Sequence, residues 1–214
     1  MYNPTAFQED NIDKLVAFMQ ANSFATLVSS VDNVPCASHI PLVIKIEEDV
    51  VKLSGHLAKP NPQWQAFGSA ESLAIFTGAH AYISPAQYEK HESVPTWNYI
   101  AVHAYGVPKI IMLNDSPKAM NKMINQMIDT YDVDYQSHWD GLSSQFREGM
   151  MDGIVGFEMA VTRLEGKYKL SQNRSKVDRE NVSNTLLQSP DPAARALGVE
   201  MKQTLDDDIN SGCT

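Results

Sequence analysis

Leu53-Ser54-Gly55-His56-Leu57-Ala58-Lys59-Pro60-Asn61-Pro62-Gln63-Trp64 is the stretch on which the reading of this chain turns. Its first half alternates: Val51, Leu53 and Leu57 fall on one face, and Lys52, Ser54 and His56 on the other. That is the pattern of a strand with one buried face, so His56 is expected to point away from the core. Its second half carries helix-start punctuation. Asn61 is a good N-cap, and Pro62 stands at the first helical position, where its missing N–H costs nothing. Free backbone N–H groups and a positive helix end would then lie beside Lys59 and His56, which suits a phosphate. The same residues also read as a polar hairpin end whose His and Lys are simply solvated.

Around that stretch, the chain has ordinary globular proportions. Its 214 residues are enough to bury a sizeable core, and 43% hydrophobic with 20% charged content argues against disorder. No apolar run approaches the length of a membrane span, and Met1-Tyr2-Asn3-Pro4 lacks the basic and apolar regions of a signal peptide, so a cytoplasmic protein without a membrane partner is expected. Cys36 and Cys213 form no metal or redox spacing and predict no structural disulfide. A formal charge of −9 counts against DNA binding unless basic groups gather on one face.

Taken in order, Asp10 is expected to cap a helix with Ile12, Leu15, Val16 and Met19 on its apolar side. Strands follow at Phe24–Ser30 and Cys36–Ile46, joined by an Asp32-Asn33 turn, and Glu47-Glu48-Asp49 leads into the opening strand to complete an antiparallel meander. Ser72–Ser84 reads as the fourth strand. In Trp97–Leu113, Ile100, Val102 and Ala104 face one way while Trp97, Tyr99, His103 and Tyr105 face the other. A face with so many large rings calls for a cover: a partner subunit, a flat ligand, both, or a helix of the same chain. Ser116-Pro117 opens a methionine-rich helix, a polar stretch spans Asp132–Gly141, a short helix covers Ser143–Met151, and Ile154–Glu165 is the last long strand. Ser175 with Asp178 starts a helix, and another runs from Ala193 to Leu205 before an acidic, frayed tail at Asp206-Asp207-Asp208. This order gives an α+β, mainly antiparallel single domain over residues 1–214, with a helical C-terminal segment at about 175–206.

Several chemistries lack their residues. There is no His-Glu-x-x-His, zinc-finger spacing, Gly-x-Ser-x-Gly elbow, Gly-x-Gly-x-x-Gly or P-loop. Three polar constellations remain: His56 with Lys59 and Asn61, the Val94–Tyr99 stretch, and Lys167–Arg174, where cations lie among Ser171, Gln172 and Asn173 before a helix start.

These residues carry a resemblance. Ser38-His39-Ile40-Pro41-Leu42, Gly55–Pro62, Phe76-Thr77-Gly78, Tyr82-Ile83-Ser84-Pro85, Pro95–Tyr99, Val102–Gly106 and Gly166–Asn173 resemble the PaiB family of FMN-binding negative transcriptional regulators, over nearly the whole chain. The resemblance implies an FMN-binding split β-barrel with peripheral helices, like pyridoxamine-phosphate oxidases, and a homodimer with FMN between the subunits. It implies that His56, Lys59 and Asn61 hold the phosphate, with Lys59 standing where the family often has Arg and so lacking the bidentate fork. Ser38, His39, Ile40 and Pro41 would meet the ring or ribityl chain. Trp97, Asn98, Lys169, Ser171 and Gln172 would reach the cofactor from the second subunit. Three functions stay open: a repressor, although no helix-turn-helix is evident; an FMN-dependent oxidoreductase, for which His39 and His103 are the residues to mutate; and a sensor of flavin, haem or another planar ligand.

Overall fold

The computed structural model describes residues 1–211; Cys213 lies outside them. The strands are β1 (Gln8–Glu9), β2 (Phe24–Val31), β3 (Val34–Pro41), β4 (Val43–Glu47), β5 (Val50–Ala58), β6 (Ser72–Ile83), β7 (Thr96–Gly106), β8 (Lys109–Ile111), β9 (Ile154–Ala160) and β10 (Arg163–Lys169). The α-helices are α1 (Ile12–Ala21), α2 (Pro117–Tyr131), α3 (Tyr135–Gly141), α4 (Ser144–Asp152), α5 (Lys176–Leu187) and α6 (Pro192–Ser211). Two compact units are present. The larger comprises Asn11–Phe76 and Val102–Leu164; the smaller comprises Met1–Asp10, Thr77–Ala101 and the chain from Glu165 onward.

In the larger unit, β4-β5-β9-β8 form a four-stranded antiparallel sheet. β2 pairs antiparallel with β3 on one side, and on the other with the first part of β6, Leu27 opposite Ala74. The β2–β3 and β4–β5 hairpins turn on Asp32-Asn33 and Glu48-Asp49, all four in the left-handed region with φ between 51° and 64°. Asn and Asp tolerate that backbone, as two-residue hairpin turns require. Leu27, Leu42, Leu53, Phe76, Phe157 and Met159 are fully buried, and Phe67 meets Phe157 edge-on at 5.1 Å between ring centroids. A second cluster of Met120, Met123, Ile128, Trp139 and Met151 joins α2, α3 and α4. The adaptable thioethers fill irregular space there.

The smaller unit has the strand order β1-β10-β7-β6, with Gln8 opposite Lys167. The antiparallel α5 and α6 approach closely at Gly198, where an added Cβ would lie 3.0 Å from the Leu187 nitrogen. The Ser183 hydroxyl donates to the Gly198 carbonyl at 3.0 Å in the same contact.

Several boundaries differ from the sequence reading. Asn11, not Asp10, caps α1, accepting from the Lys14 N–H at 3.1 Å. The run Cys36–Ile46 divides after Pro41 into β3 and β4, which belong to different sheets, so the expected continuous meander is broken. Apolar alternation continues through the break, but proline offers no N–H to a ladder, and the Leu42 N–H donates to the Ser23 carbonyl instead. The run Trp97–Leu113 likewise divides, at Val107-Pro108, into β7 and β8. Ile154–Glu165 ends as a strand at Ala160, where the Val161 and Thr162 N–H groups turn to the Val51 and Tyr105 carbonyls. The polar stretch Asp132–Gly141 contains α3, whose Trp139 is buried. α6 continues through the acidic run placed beyond its end.

Candidate cofactor site

The predicted site residues fall into two groups, one in each unit. In the larger unit, the opening strand leads into a five-residue 3₁₀ helix, Pro62–Ala66, rather than an α-helix. Asn61 caps it as expected, its Oδ1 accepting from the Gln63 N–H at 3.0 Å. So short a turn has little macrodipole, and its cap already uses one of the free donors.

What fixes this turn is a chain of side chains. The Asn61 amide donates to the Ser38 hydroxyl at 2.8 Å, and that hydroxyl donates to Gln63 Oε1 at 2.6 Å. The Gln63 amide donates in turn to the Leu27 carbonyl at 2.8 Å and the Ser29 hydroxyl at 3.1 Å. Ser29 and Ser72 hydroxyls complete the network at 2.9 Å. Gln63 is only 2% exposed, so it acts as a buried clasp between the turn and the β2–β3 hairpin. The sequence marks Gln63 only as a long amide directly after the Asn-Pro helix start.

Alternation on β3 puts Ser38 and Ile40 on the inner side and His39 on the outer. His39 is exposed; its Nδ1 lies 3.0 Å from the Thr26 hydroxyl and its ring stacks with Phe24 at 6.4 Å. Ile40 is buried, and Pro41 ends the strand.

His56, Lys59 and Asn61 each stand in a different environment. His56 is half-buried and pairs in register with Gly156, where an added Cβ would meet the Met123 sulfur at 2.8 Å. Opposed residues of antiparallel strands point to the same face, so His56 stands on the sheet face packed by α2. Its Nδ1 is buried with no hydrogen-bond partner among the described residues, and burial pulls its pKa below the ordinary histidine value. The Lys59 ammonium is half-exposed and pairs with Asp152 at 3.0 Å. Its backbone carbonyl accepts from the Trp64 indole at 3.0 Å.

In the smaller unit, Asn98 is fully buried, its amide donating to the Ser171 hydroxyl at 2.8 Å. Ser171 has φ 64° and opens the turn after β10, its carbonyl accepting from the Arg174 N–H at 2.9 Å. Gln172 folds back on its own backbone, accepting from the Leu170 N–H at 2.8 Å and donating to the Tyr168 carbonyl. Lys169 donates to the Thr96 hydroxyl, and burial, with Lys167 nearby, holds its pKa below the usual lysine value. Gln172 is thus occupied with its own turn, while Ser171 and Lys169 are tied to Asn98 and Thr96 of β7. Trp97, on the opposite face of β7 from Asn98, is 54% exposed. The ring row expected on β7 is partly covered by cations: in this unit Lys167 Nζ lies 5.4 Å from the Tyr99 centroid, and in the larger unit the Arg163 guanidinium lies 3.5 Å from that of Tyr105. Among the described residues, no His, Cys, Asp and Glu gather as a metal site would need.

Comparison with known proteins shows the family. Residues 1–163 match the family described as "Putative FMN-binding domain", and the chain belongs to that FMN-binding family. It is 36% identical to "Protease synthase and sporulation protein PAI 2" of Bacillus subtilis, over 98% of this chain and 100% of that protein, which bears out the resemblance to the PaiB family. An uncharacterised Emericella nidulans protein is 29% identical over 85% of this chain and 88% of its own length. Among solved structures, the "FAD and Heme binding protein from Mycobacterium smegmatis" aligns with a TM-score of 0.54 at 14% identity, covering 76% of this chain and 73% of that one. The expected α+β split barrel with peripheral helices is borne out. No helix among the described residues is long and apolar enough to cross a membrane.

Proposed function

We propose that this chain is a cytoplasmic FMN-binding homodimer in which flavin occupancy sets a regulatory output, as the family's negative transcriptional regulators imply. The observation that carries the location of the site is the Asn61–Ser38–Gln63 clasp, which pins a polar turn beside the outer strand β3. Lys59 supplies the nearby positive charge, and Asn61 a second polar group, for the phosphate. His39 and Thr26 on the outer face, and the backbone of β3 on the side away from β2, offer donors and acceptors to the ring and ribityl chain. This donor set suits FMN, which supplies redox chemistry when bound. Ser38 serves by holding Asn61, and His56 by filling the space under α2.

The second copy is proposed to cover the β2–β3 hairpin, where Phe24 and Val34 are 69% and 64% exposed. Net charge of −9 favours an output through a protein partner over direct DNA reading.

Titration of FMN, followed by flavin absorbance and fluorescence, tests the site. Lys59→Ala is expected to weaken FMN about tenfold or more, the scale of one charge-assisted hydrogen bond. Asp152→Ala, which frees Lys59, is expected to leave affinity equal or higher. Unchanged affinity in Lys59→Ala rules out its phosphate role. Sedimentation of the FMN-loaded protein as a monomer removes the dimer, and a salt-sensitive shift of promoter DNA restores direct DNA reading.

A further inference from the structure

The smaller unit contains a cleft of about 630 Å³ between β6, β7 and the α5–α6 turn. Its aromatic walls are His80, Tyr82 and Trp97. The Trp97 ring lies 6.1 Å from Tyr82 at 73° and 6.2 Å from His80 at 36°, so the rings form a corner rather than a stack. Tyr82 and Trp97 are both about half-exposed, although large aromatic rings usually bury.

The polar lining is mixed: Thr185, Gln188 and Ser189 can donate as well as accept, and Asp191 only accepts. Gln87 lines the cleft with a buried Oε1 that has no hydrogen-bond partner among the described residues. Asp191 is the charged residue among those lining the cleft; its Oδ1 accepts from the Ala193 N–H at 2.9 Å as the α6 cap, leaving Oδ2 for another donor. The end of α5 also lines the space, and no basic side chain in its last turn offsets the negative helix end. The neighbouring Arg195 is held at the turn by the Ser189 carbonyl at 2.6 Å and does not line the cleft. The positive N-terminus of α6 also borders the space and is capped by Asp191, so the features that favour a cation are the ring faces, the remaining Asp191 oxygen and the α5 C-terminus.

We propose that this cleft binds an organic cation, a protonated or quaternary amine, at a site separate from that for FMN. The ring corner receives the cationic head, and Asp191 supplies the negative charge and the hydrogen-bond acceptor. The chemistry is the reverse of the Lys59 turn, and the inference does not depend on FMN binding there.

Calorimetric titration with choline, and with its neutral isostere 3,3-dimethylbutan-1-ol, tests it. Choline is expected to bind at least about tenfold more tightly than the alcohol, within the range of a partly desolvated cation–π contact. Trp97→Leu should lose a similar factor, and Trp97→Phe less, because phenylalanine keeps a ring face. Asp191→Asn should weaken choline about fivefold while retaining the α6 cap, since asparagine also caps helices. Should Trp97→Leu fail to fold, Trp97→Phe and Asp191→Asn carry the test. FMN affinity, measured on the same preparation, should be unchanged by saturating choline. Equal binding of the alcohol, no detectable binding of choline, or competition between choline and FMN would each overturn the proposal. Choline binding in a preparation that takes up no FMN would sink the proposed flavin site and leave this one standing.

Discussion

Replacing Gln63 by leucine tests whether the buried amide holds the candidate site together. The substitution keeps approximate size but removes three hydrogen bonds: one accepted from Ser38, and two donated to the Leu27 carbonyl and the Ser29 hydroxyl. At a net ~1 kcal/mol each, with the Leu27 carbonyl left without this donor, Gln63→Leu should cost about 3 kcal/mol. For a chain of this length that corresponds to a fall in Tm of roughly 6–12 °C. Urea unfolding followed by circular dichroism measures the free energy. The clasp also predicts coupling. Ser38→Ala breaks the same chain, so the double variant should lose less than the sum of the single losses, by about 0.5 kcal/mol or more. FMN affinity should fall in parallel, because Asn61 loses the hydroxyl that orients it. A loss below about 0.5 kcal/mol, or strict additivity with Ser38→Ala, would refute the clasp.

Two further outcomes follow from the packing. Gly106→Ala would place a Cβ 2.3 Å from the Ala160 carbonyl oxygen and 2.8 Å from Met159 Cγ. The backbone cannot yield cheaply there, so a loss of about 3 kcal/mol is expected, whereas Gly149→Ala, with open space in α4, should gain about 0.5–1 kcal/mol. Thermal melts of the two variants should therefore move in opposite directions. His56 gives the acid response. Its native pKa lies below the ordinary value of 6.5, so the unfolded chain takes up a proton at higher pH than the native state does. Stability should decline as pH falls through 6.5 toward the native pKa, and His56→Gln should flatten that decline in urea melts recorded across pH.

Much of the architecture is legible in residue order, because alternation, caps and turn chemistry are local. Ser175 accepts from the Asp178 N–H at 3.1 Å, and Asp32-Asn33 forms its hairpin turn. What alternation cannot reveal is where a strand changes sheets. Cys36–Ile46 and Trp97–Leu113 keep their periodicity across breaks set by Pro41 and Pro108, where the lost N–H decides. At the site, the Asn61 cap is visible in sequence, but the partners of Lys59, His56 and Ser38 are long-range. Asp152 lies 93 residues from Lys59, and no local pattern joins them. Asn98 looks available because it is polar; its burial against Ser171 and Met201 depends on contacts 73 and 103 residues away. A lone glutamine such as Gln63 has no periodic signature in the sequence.

The single residue between β3 and β4, Leu42, leaves these strands no slack. A one-residue slip in the β2–β3 hairpin would turn His39 inward and Ser38 outward. With nothing to absorb the displacement, the error would be passed on to the β4–β5 ladder. Length changes in this part of the chain are therefore confined to the two hairpin tips, and an insertion at Leu42 should uncouple the Asn61–Gln63 turn from the sheet that frames it.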